Sequence, residues 1–124
     1  MTEKLFTVKE ANAALPELRA ALDAIHEIKQ SLGENADLEA LWSKAPTNGG
    51  GKEGRTYMAA LEQISEKLNV IAHMGILLRD IDTGLCDFPS LREGRKVFLC
   101  WKADEDEVRF WHGTDAGFAG RQPL

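Results

Sequence analysis

The sequence has few cysteines and no long apolar run, and both features limit the class of protein to which it can belong. Its 124 residues include two cysteines, Cys86 and Cys100, which are too few for the disulfide framework of a small secreted domain. No run of about 18 apolar residues occurs, and this excludes a membrane-spanning helix. The segment MTEKLFTVKE also lacks the apolar stretch of a signal peptide. We therefore expect a cytoplasmic protein with reduced thiols and no membrane partner.

The sequence also lacks an excess of positive charge. It contains 15 basic and 20 acidic residues, a formal net charge of -5, whereas nucleic-acid binding requires a positive surface that displaces counterions. No nucleic-acid partner is therefore expected. The local basic group Arg92, Arg95 and Lys96 is interrupted by Glu93, and we interpret it as a solvated hairpin tip.

The length predicts a single domain over residues 1–124, because domains most often contain roughly 100–150 residues. A helical hairpin is expected over residues 7–75, and a β region with a tail over residues 76–124. The segment 45–54, APTNGGGKEG, has no large apolar residue to offset the ordering cost of its glycines. It is predicted to be a flexible linker within the hairpin.

A capping box formed by Thr7 and Glu10 predicts a helix that begins at about Val8. Pro16 is expected to interrupt it, since proline suits a first helical turn better than a helix interior. We therefore predict a short helix over 8–14, a kink, and a longer helix from Pro16 to Gly33.

Apolar residues at helical spacing indicate that each long helix has one buried stripe. A short helix over 37–44 is expected between them, and the second long helix is expected to end at Gly75. Two such helices favour an antiparallel hairpin; the alternative is coiled-coil pairing with another chain. The stripe residues are Leu15, Leu18, Leu22, Ile25, Ile28 and Leu32 in the first helix and Tyr57 or Met58, Leu61, Ile64, Leu68 and Ile71 in the second.

The residues after Gly75 favour strands. The predicted fold class is α+β: a kinked N-terminal helix and a long antiparallel helical hairpin, packed with a small C-terminal sheet of three or four antiparallel strands. The strands are expected at 76–81, 85–88, 95–102 and 107–112, with a turn over 89–94 and a four-residue loop between the last two.

This register places Phe98 opposite Trp111 on the outer sheet face, and Cys100 opposite Arg109. Phe98 and Trp111 then form an apolar pair where a one-sided sheet is normally polar. Either the tail covers the pair through Phe118, or a second chain does. The sequence thus predicts Trp111 to be buried and leaves a homodimer as one of two explanations.

His112 is the most distinctive polar residue of the β region. Cys100 or Asp87 near it would give a mixed ligand set for zinc or iron. The simpler interpretation is a histidine at a strand end, hydrogen-bonded to a carboxylate or a carbonyl. A nucleophilic Cys100–His112 pair is disfavoured, because the predicted register places the two residues on opposite faces.

Arg121 ends a glycine-punctuated tail whose amides and guanidinium could hold a carboxylate or a phosphate. The alternative is that Phe118 plugs the core and Arg121 pairs with Asp80 or Asp87. With Arg95 and His112, these residues make up the candidate site for a small anionic ligand. No catalytic residue and no cofactor is predicted, because no phosphate-loop, calcium-loop or paired-ligand motif is complete.

Three segments resemble the prokaryotic family called domain of unknown function 2203. They are FTVKEANAALPELR at 6–19, RDIDTGLCDFPSLREGRKVFLCW at 79–101 and FWHGTDAGFAGRQPL at 110–124. Cys86 departs from the pattern, which has valine there. The resemblance implies an intact domain of bacterial origin and no particular activity, cofactor or substrate.

The sequence therefore favours a small, non-enzymatic, cytoplasmic binding or assembly module that forms a homodimer. The alternative is a metal- or anion-binding protein, or a small enzyme, with a site around His112, Asp87 and Arg121.

Overall fold

The computed structural model describes residues 3–32 and 52–124, with side chains from residue 57 in the second range. These residues form two α-helices and a five-stranded antiparallel sheet, so the chain is α+β. The predicted helix over 37–44 and most of the linker over 45–54 lie outside them. Two compact units are present, one formed by Met1–Ala20 and Ile71–Leu124 and the other by Ala21–Val70. The single domain over 1–124 stays a prediction.

Helix α1 spans Val8–Ser31 and begins at the predicted capping box. The Thr7 amide donates to Glu10 Oε1 at 2.9 Å, and the Glu10 amide donates to Thr7 Oγ1 at 3.1 Å. The prediction that the helix stops before Pro16 is wrong, because Pro16 lies inside one helix. Ala11, Leu15 and Leu18 are buried on both sides of the proline, and packing of this kind can outweigh one missing backbone hydrogen bond.

Helix α2 spans Lys52–His73 and begins two residues before the predicted end of the linker at 54. After it, Gly75 has a φ of +85°, the left-handed conformation in which helices commonly end, and this confirms the predicted end of the helix. The second unit contains the end of α1 and most of α2. Its buried side chains are Ala21, Leu22, Ile25, Ala60, Leu61 and Ile64. In the described ranges, neither helix is long and apolar enough to cross a membrane.

The five strands follow one another across the sheet in chain order. They are β1 Leu77–Asp80, β2 Leu85–Arg92, β3 Arg95–Trp101, β4 Phe110–Gly113 and β5 Gln122–Pro123. The described residues thus form a sheet of five strands where three or four were predicted. The additional strand is the short β5 in the tail, which pairs with β4.

The turn between β2 and β3 contains only Glu93 and Gly94, with φ of 54° and 78°. Two positive φ values are typical of the tight primed turns that join antiparallel strands. The predicted turn over 89–94 is therefore wrong, since β2 continues through Pro89. Proline is tolerated here because the β1 ladder ends at Leu77–Asp87, and no β1 residue needs a proline N–H.

The predicted register between β3 and β4 is wrong by one residue. Phe98 lies opposite His112, and Leu99 lies opposite Trp111. A slip of one residue moves every side chain of a strand to the other face. Trp111 is therefore half-buried on the face opposite Phe98, and the predicted Phe98–Trp111 pair does not form.

The register differs because the chain between β3 and β4 is a longer connection, held by side chains. The Val108 amide donates to Asn12 Oδ1 at 2.7 Å and is not paired with β3. The Trp101 indole donates to the Glu105 carbonyl at 2.9 Å, and Arg19 donates to the carbonyls of Ala103 and Glu105. The connection held by these hydrogen bonds takes the place of the predicted four-residue hairpin loop.

The sheet presents two different faces within the first unit. One carries Phe88, which meets the Phe6 ring edge-on at 5.2 Å, and Trp101, which lies under the Arg19 guanidinium. Such an aromatic pair contributes about 0.5–1.5 kcal/mol beyond its buried area. The opposite face, hereafter the polar face, carries Asp87, Phe98, Cys100, Phe110 and His112.

Candidate metal centre

Three potential metal ligands converge on the polar face: Asp87 on β2, Cys100 on β3 and His112 on β4. Their ligand atoms all lie within 4.8 Å of one another. Asp87 is directly opposite Cys100 in the ladder, and His112 is two residues along from Phe110, which faces Cys100. The three residues are only 3%, 1% and 2% exposed, respectively. We call them the Asp–Cys–His cluster.

The orientation of the His112 ring is fixed by both of its nitrogens. Nδ1 lies 2.9 Å from the Gly113 carbonyl oxygen, and Nε2 lies 3.0 Å from Asp87 Oδ1. A carbonyl oxygen can only accept, so Nδ1 carries a proton and donates it. Nε2 is therefore the nitrogen that faces the cluster and can serve as a ligand.

Asp87 is held from its other side by Arg79. Arg79 Nε donates to Asp87 Oδ2 at 3.0 Å, while its guanidinium lies 5.4 Å from the centre of the Phe98 ring. The Phe98 ring in turn lies 5.6 Å from the His112 ring. One carboxylate oxygen of Asp87 thus faces His112. The other accepts a hydrogen bond from Arg79, whose guanidinium lies over the Phe98 ring.

Cys100 is a protonated thiol at neutral pH. Burial, followed by the negative charge of Asp87, raises its pKa from 9.0 to about 11. Burial likewise raises the pKa of Cys86 to about 12. Both cysteines are free thiols, as predicted. Cys100 therefore lacks the lowered pKa that marks a nucleophilic cysteine, although a coordinating metal ion would deprotonate it.

Arg121 contacts the edge of the cluster but pairs with neither predicted partner. Its Nη2 donates to the Cys100 carbonyl at 3.1 Å and to Glu105 Oε1 at 2.6 Å. The guanidinium lies between the rings of Phe110 and Phe118, at 4.1 and 4.7 Å from their centres. Phe118 is still 44% exposed, so it packs on Arg121 and does not plug the core.

The remaining predicted site residues lie elsewhere. Asp80 accepts a hydrogen bond from Thr83 Oγ1 at 2.7 Å in the turn after β1. Arg95 begins β3 opposite Arg92, at the far end of the strand from Cys100. Of the predicted set, the structure therefore brings together Asp87 and His112, with Arg121 reaching the Cys100 backbone.

The sequence analysis offered Cys100 as a possible ligand but placed it on the face opposite His112, and it missed Arg79. The error with Cys100 came from the one-residue register slip, since the true register places Cys100 and His112 on one face. The sequence does contain a signal for the pairing of Asp87 with Cys100. A two-residue turn at Glu93-Gly94 pairs Arg92 with Arg95, and counting back along both strands places Asp87 opposite Cys100.

Comparison with known proteins finds a family model that matches residues 4–124 and is described as "Uncharacterized conserved protein (DUF2203)". No curated protein and no solved structure matches the chain. The family description assigns no ligand.

Proposed function

The chain belongs to the DUF2203 family, and we propose from the geometry of its sheet that it is a small metal-binding protein. The observation that carries this proposal is the convergence of Asp87, Cys100 and His112 within 4.8 Å. The proposal keeps the predicted binding module and specifies its ligand as a transition-metal ion. It assigns no catalytic residue.

The ligand types favour zinc or a related divalent ion. Carboxylate oxygen, thiolate sulfur and imidazole nitrogen are the three donor types that Zn²⁺ accepts, usually in tetrahedral geometry. Three protein ligands leave the fourth position for water or another small ligand. With Asp87 ionised and Cys100 deprotonated, the two negative charges would balance a divalent cation inside a buried site.

The groups that form hydrogen bonds with the candidate ligands also support metal binding. A metal-bound histidine nearly always donates its other ring N–H to a carbonyl or a carboxylate, and ligating carboxylates are themselves hydrogen-bonded. His112 has this partner in the Gly113 carbonyl, and Asp87 has it in Arg79. The supporting hydrogen bonds that a metal site requires are therefore already present around His112 and Asp87.

Zinc content after equilibrium dialysis tests the proposal. Wild-type protein is expected to retain about one zinc ion per chain. Cys100→Ser is expected to lose roughly hundredfold or more in zinc affinity, since removal of a ligand costs at least as much as removal of its supporting group. Cys86→Ser is the matched control, because Cys86 is also a buried thiol but lies on the other sheet face.

Asp87→Asn gives a second test with little change in shape, and circular dichroism would verify that each variant folds. Zinc retained equally by wild type, Cys100→Ser and Asp87→Asn would contradict the proposal, as would a wild-type protein that retains none.

A cytoplasmic location, a bacterial origin, the antiparallel helical hairpin and the homodimer stay predictions. The homodimer was inferred from an outer Phe98–Trp111 pair that does not form. Phe98 is instead covered within the chain, since the cationic groups of Arg79 and Lys96 lie over its ring and leave it 8% exposed. A measurement of molar mass in solution tests the dimer separately from the metal.

A further inference from the structure

A basic cleft lies at the turn between β2 and β3. It has a volume of about 850 Å³, and its lining includes Arg92, Arg95, Lys96 and Trp111. None of the residues of the Asp–Cys–His cluster lines it. The structure assigns to this cleft a second site, one that binds the phosphate group of a small phosphorylated ligand.

Arg92 and Arg95 face each other in the cleft, and no acidic partner for either lies among the described residues. Arg92 and Arg95 are directly opposite in the ladder, and like charges in that position destabilise a sheet. Among the described residues, neither guanidinium forms an ion pair with a carboxylate. The Arg95 side chain makes no contact of any polar kind there, whereas Arg92 lies 4.9 Å from the centre of the Trp111 ring.

The other charged groups of the cleft do not offset this repulsion. Lys96 Nζ is already paired with Glu3 Oε1 at 2.7 Å. Glu93 and Asp115 also line the cleft, but neither is within ion-pair distance of Arg92 or Arg95. An anion placed between Arg92 and Arg95 would remove the unfavourable pairing of like charges, which is the reason to expect one.

The chemistry of the lining selects phosphate among anions. A guanidinium presents parallel N–H donors that match two oxygens of a phosphate group, and two guanidiniums match its double negative charge. The remainder of the ligand would lie against Trp111 and Val97, which line the same cleft. The ring of Trp111 offers the flat apolar surface on which an organic group packs.

A phosphate titration followed by the indole N–H resonance of Trp111 tests this site. The probe is inorganic phosphate, the protein is full-length and metal-free, and ionic strength is held constant with sodium chloride. Trp111→Phe assigns the resonance. We expect a saturable shift in wild-type protein and a loss of roughly tenfold or more in affinity in Arg95→Gln, because a charge-assisted hydrogen bond is lost.

Arg109→Gln is the matched control. Arg109 is also an exposed arginine, but it pairs with Asp106 and Glu107 away from the cleft, so its variant should bind phosphate like wild type. A shift that does not saturate, an Arg95→Gln variant that binds unchanged, or an equal loss in Arg109→Gln would overturn the assignment. Because the protein is metal-free, this result is independent of zinc binding.

Discussion

Asp87 lies directly across the β2–β3 ladder from Cys100, and this pairing is set by a turn six residues away from either of them. The turn has only two central residues, Glu93 and Gly94, both with positive φ. A turn one residue longer or shorter would shift the register by one residue. Asp87 and Cys100 would then lie on opposite faces of the sheet. The candidate metal centre therefore depends on the conformation of Gly94.

Gly94→Ala is expected to destabilise the protein by about 1 kcal/mol, because a side chain at this positive φ is strained. Among the described residues, no heavy atom other than those of its two chain neighbours lies within 4 Å of the added methyl group, so the loss would report backbone strain alone. Urea unfolding measures it. Gly117→Ala is the control, since Gly117 has a φ of -120° and equally open surroundings. Equal effects of the two substitutions would show that the turn is not strained.

Asn12→Ala is expected to destabilise the protein by about 1–3 kcal/mol, because it leaves the Val108 amide without its acceptor. Val108 is 3% exposed, so water cannot readily replace Asn12 Oδ1. Asn12→Asp keeps an acceptor oxygen and should recover most of the loss. If the two variants unfold at the same denaturant concentration, this hydrogen bond does not hold the connection before β4.

The capping box predicts a pH dependence at the start of α1. Hydrogen bonding to the Thr7 amide and hydroxyl lowers the pKa of Glu10 below its usual 4.5. A lowered pKa in the folded state contributes stability above pH 4.5, and this contribution disappears as the pH falls through the lowered value. Glu10→Gln should therefore be less stable than wild type near neutral pH and approach it in acid. A constant difference across the acidic range, measured by urea unfolding, would refute the cap.

The buried thiols predict the opposite dependence at high pH. The pKa values of Cys100 and Cys86 rise from 9.0 to about 11 and about 12 on folding. Their contribution to stability is complete below pH 9.0 and is lost as the pH rises through 11 and 12. At neutral pH, a thiol reagent should label the native protein far more slowly than the unfolded chain. Rapid labelling of Cys100 in the native state would contradict its burial.

Much of the fold could be predicted from the sequence, because it depends on local patterns. The Thr7–Glu10 cap, the Gly75 helix end and the α+β class follow from residue types at fixed spacing. Pro16 could not be placed correctly, since tertiary packing decides whether a helix tolerates it. The strand register depended on the bond between Asn12 and Val108, two residues far apart in the chain.

Only part of the candidate site could be predicted from the sequence, because the rest depends on how the strands pair. His112 and Asp87 were identified from their residue types, while a slip of one residue assigned His112 to the face opposite Cys100. Arg79 gave no local signal, because its contact with Asp87 depends on the pairing of β1 with β2.

Arg79 is predicted to act on the metal through Asp87. Arg79→Gln should reduce zinc affinity by about 10–100-fold, the usual effect of removing a group that orients a ligand. Arg109→Gln provides the matched control, since the side chain of that arginine pairs with Asp106 and Glu107. Competition with a chromophoric chelator measures both affinities, and equal values would show that Arg79 does not support the site.

Cobalt binding tests the central claim most directly, because Co²⁺ reports its own ligands. Titration of wild-type protein with Co²⁺ should produce a thiolate-to-cobalt charge-transfer band and the intense visible bands of tetrahedral coordination, both saturating at about one ion per chain. Cys86→Ser should give the same spectrum, whereas Cys100→Ser should lose the charge-transfer band. A wild-type spectrum identical to that of cobalt in water, or a charge-transfer band that survives in Cys100→Ser, would contradict a metal centre at Asp87, Cys100 and His112.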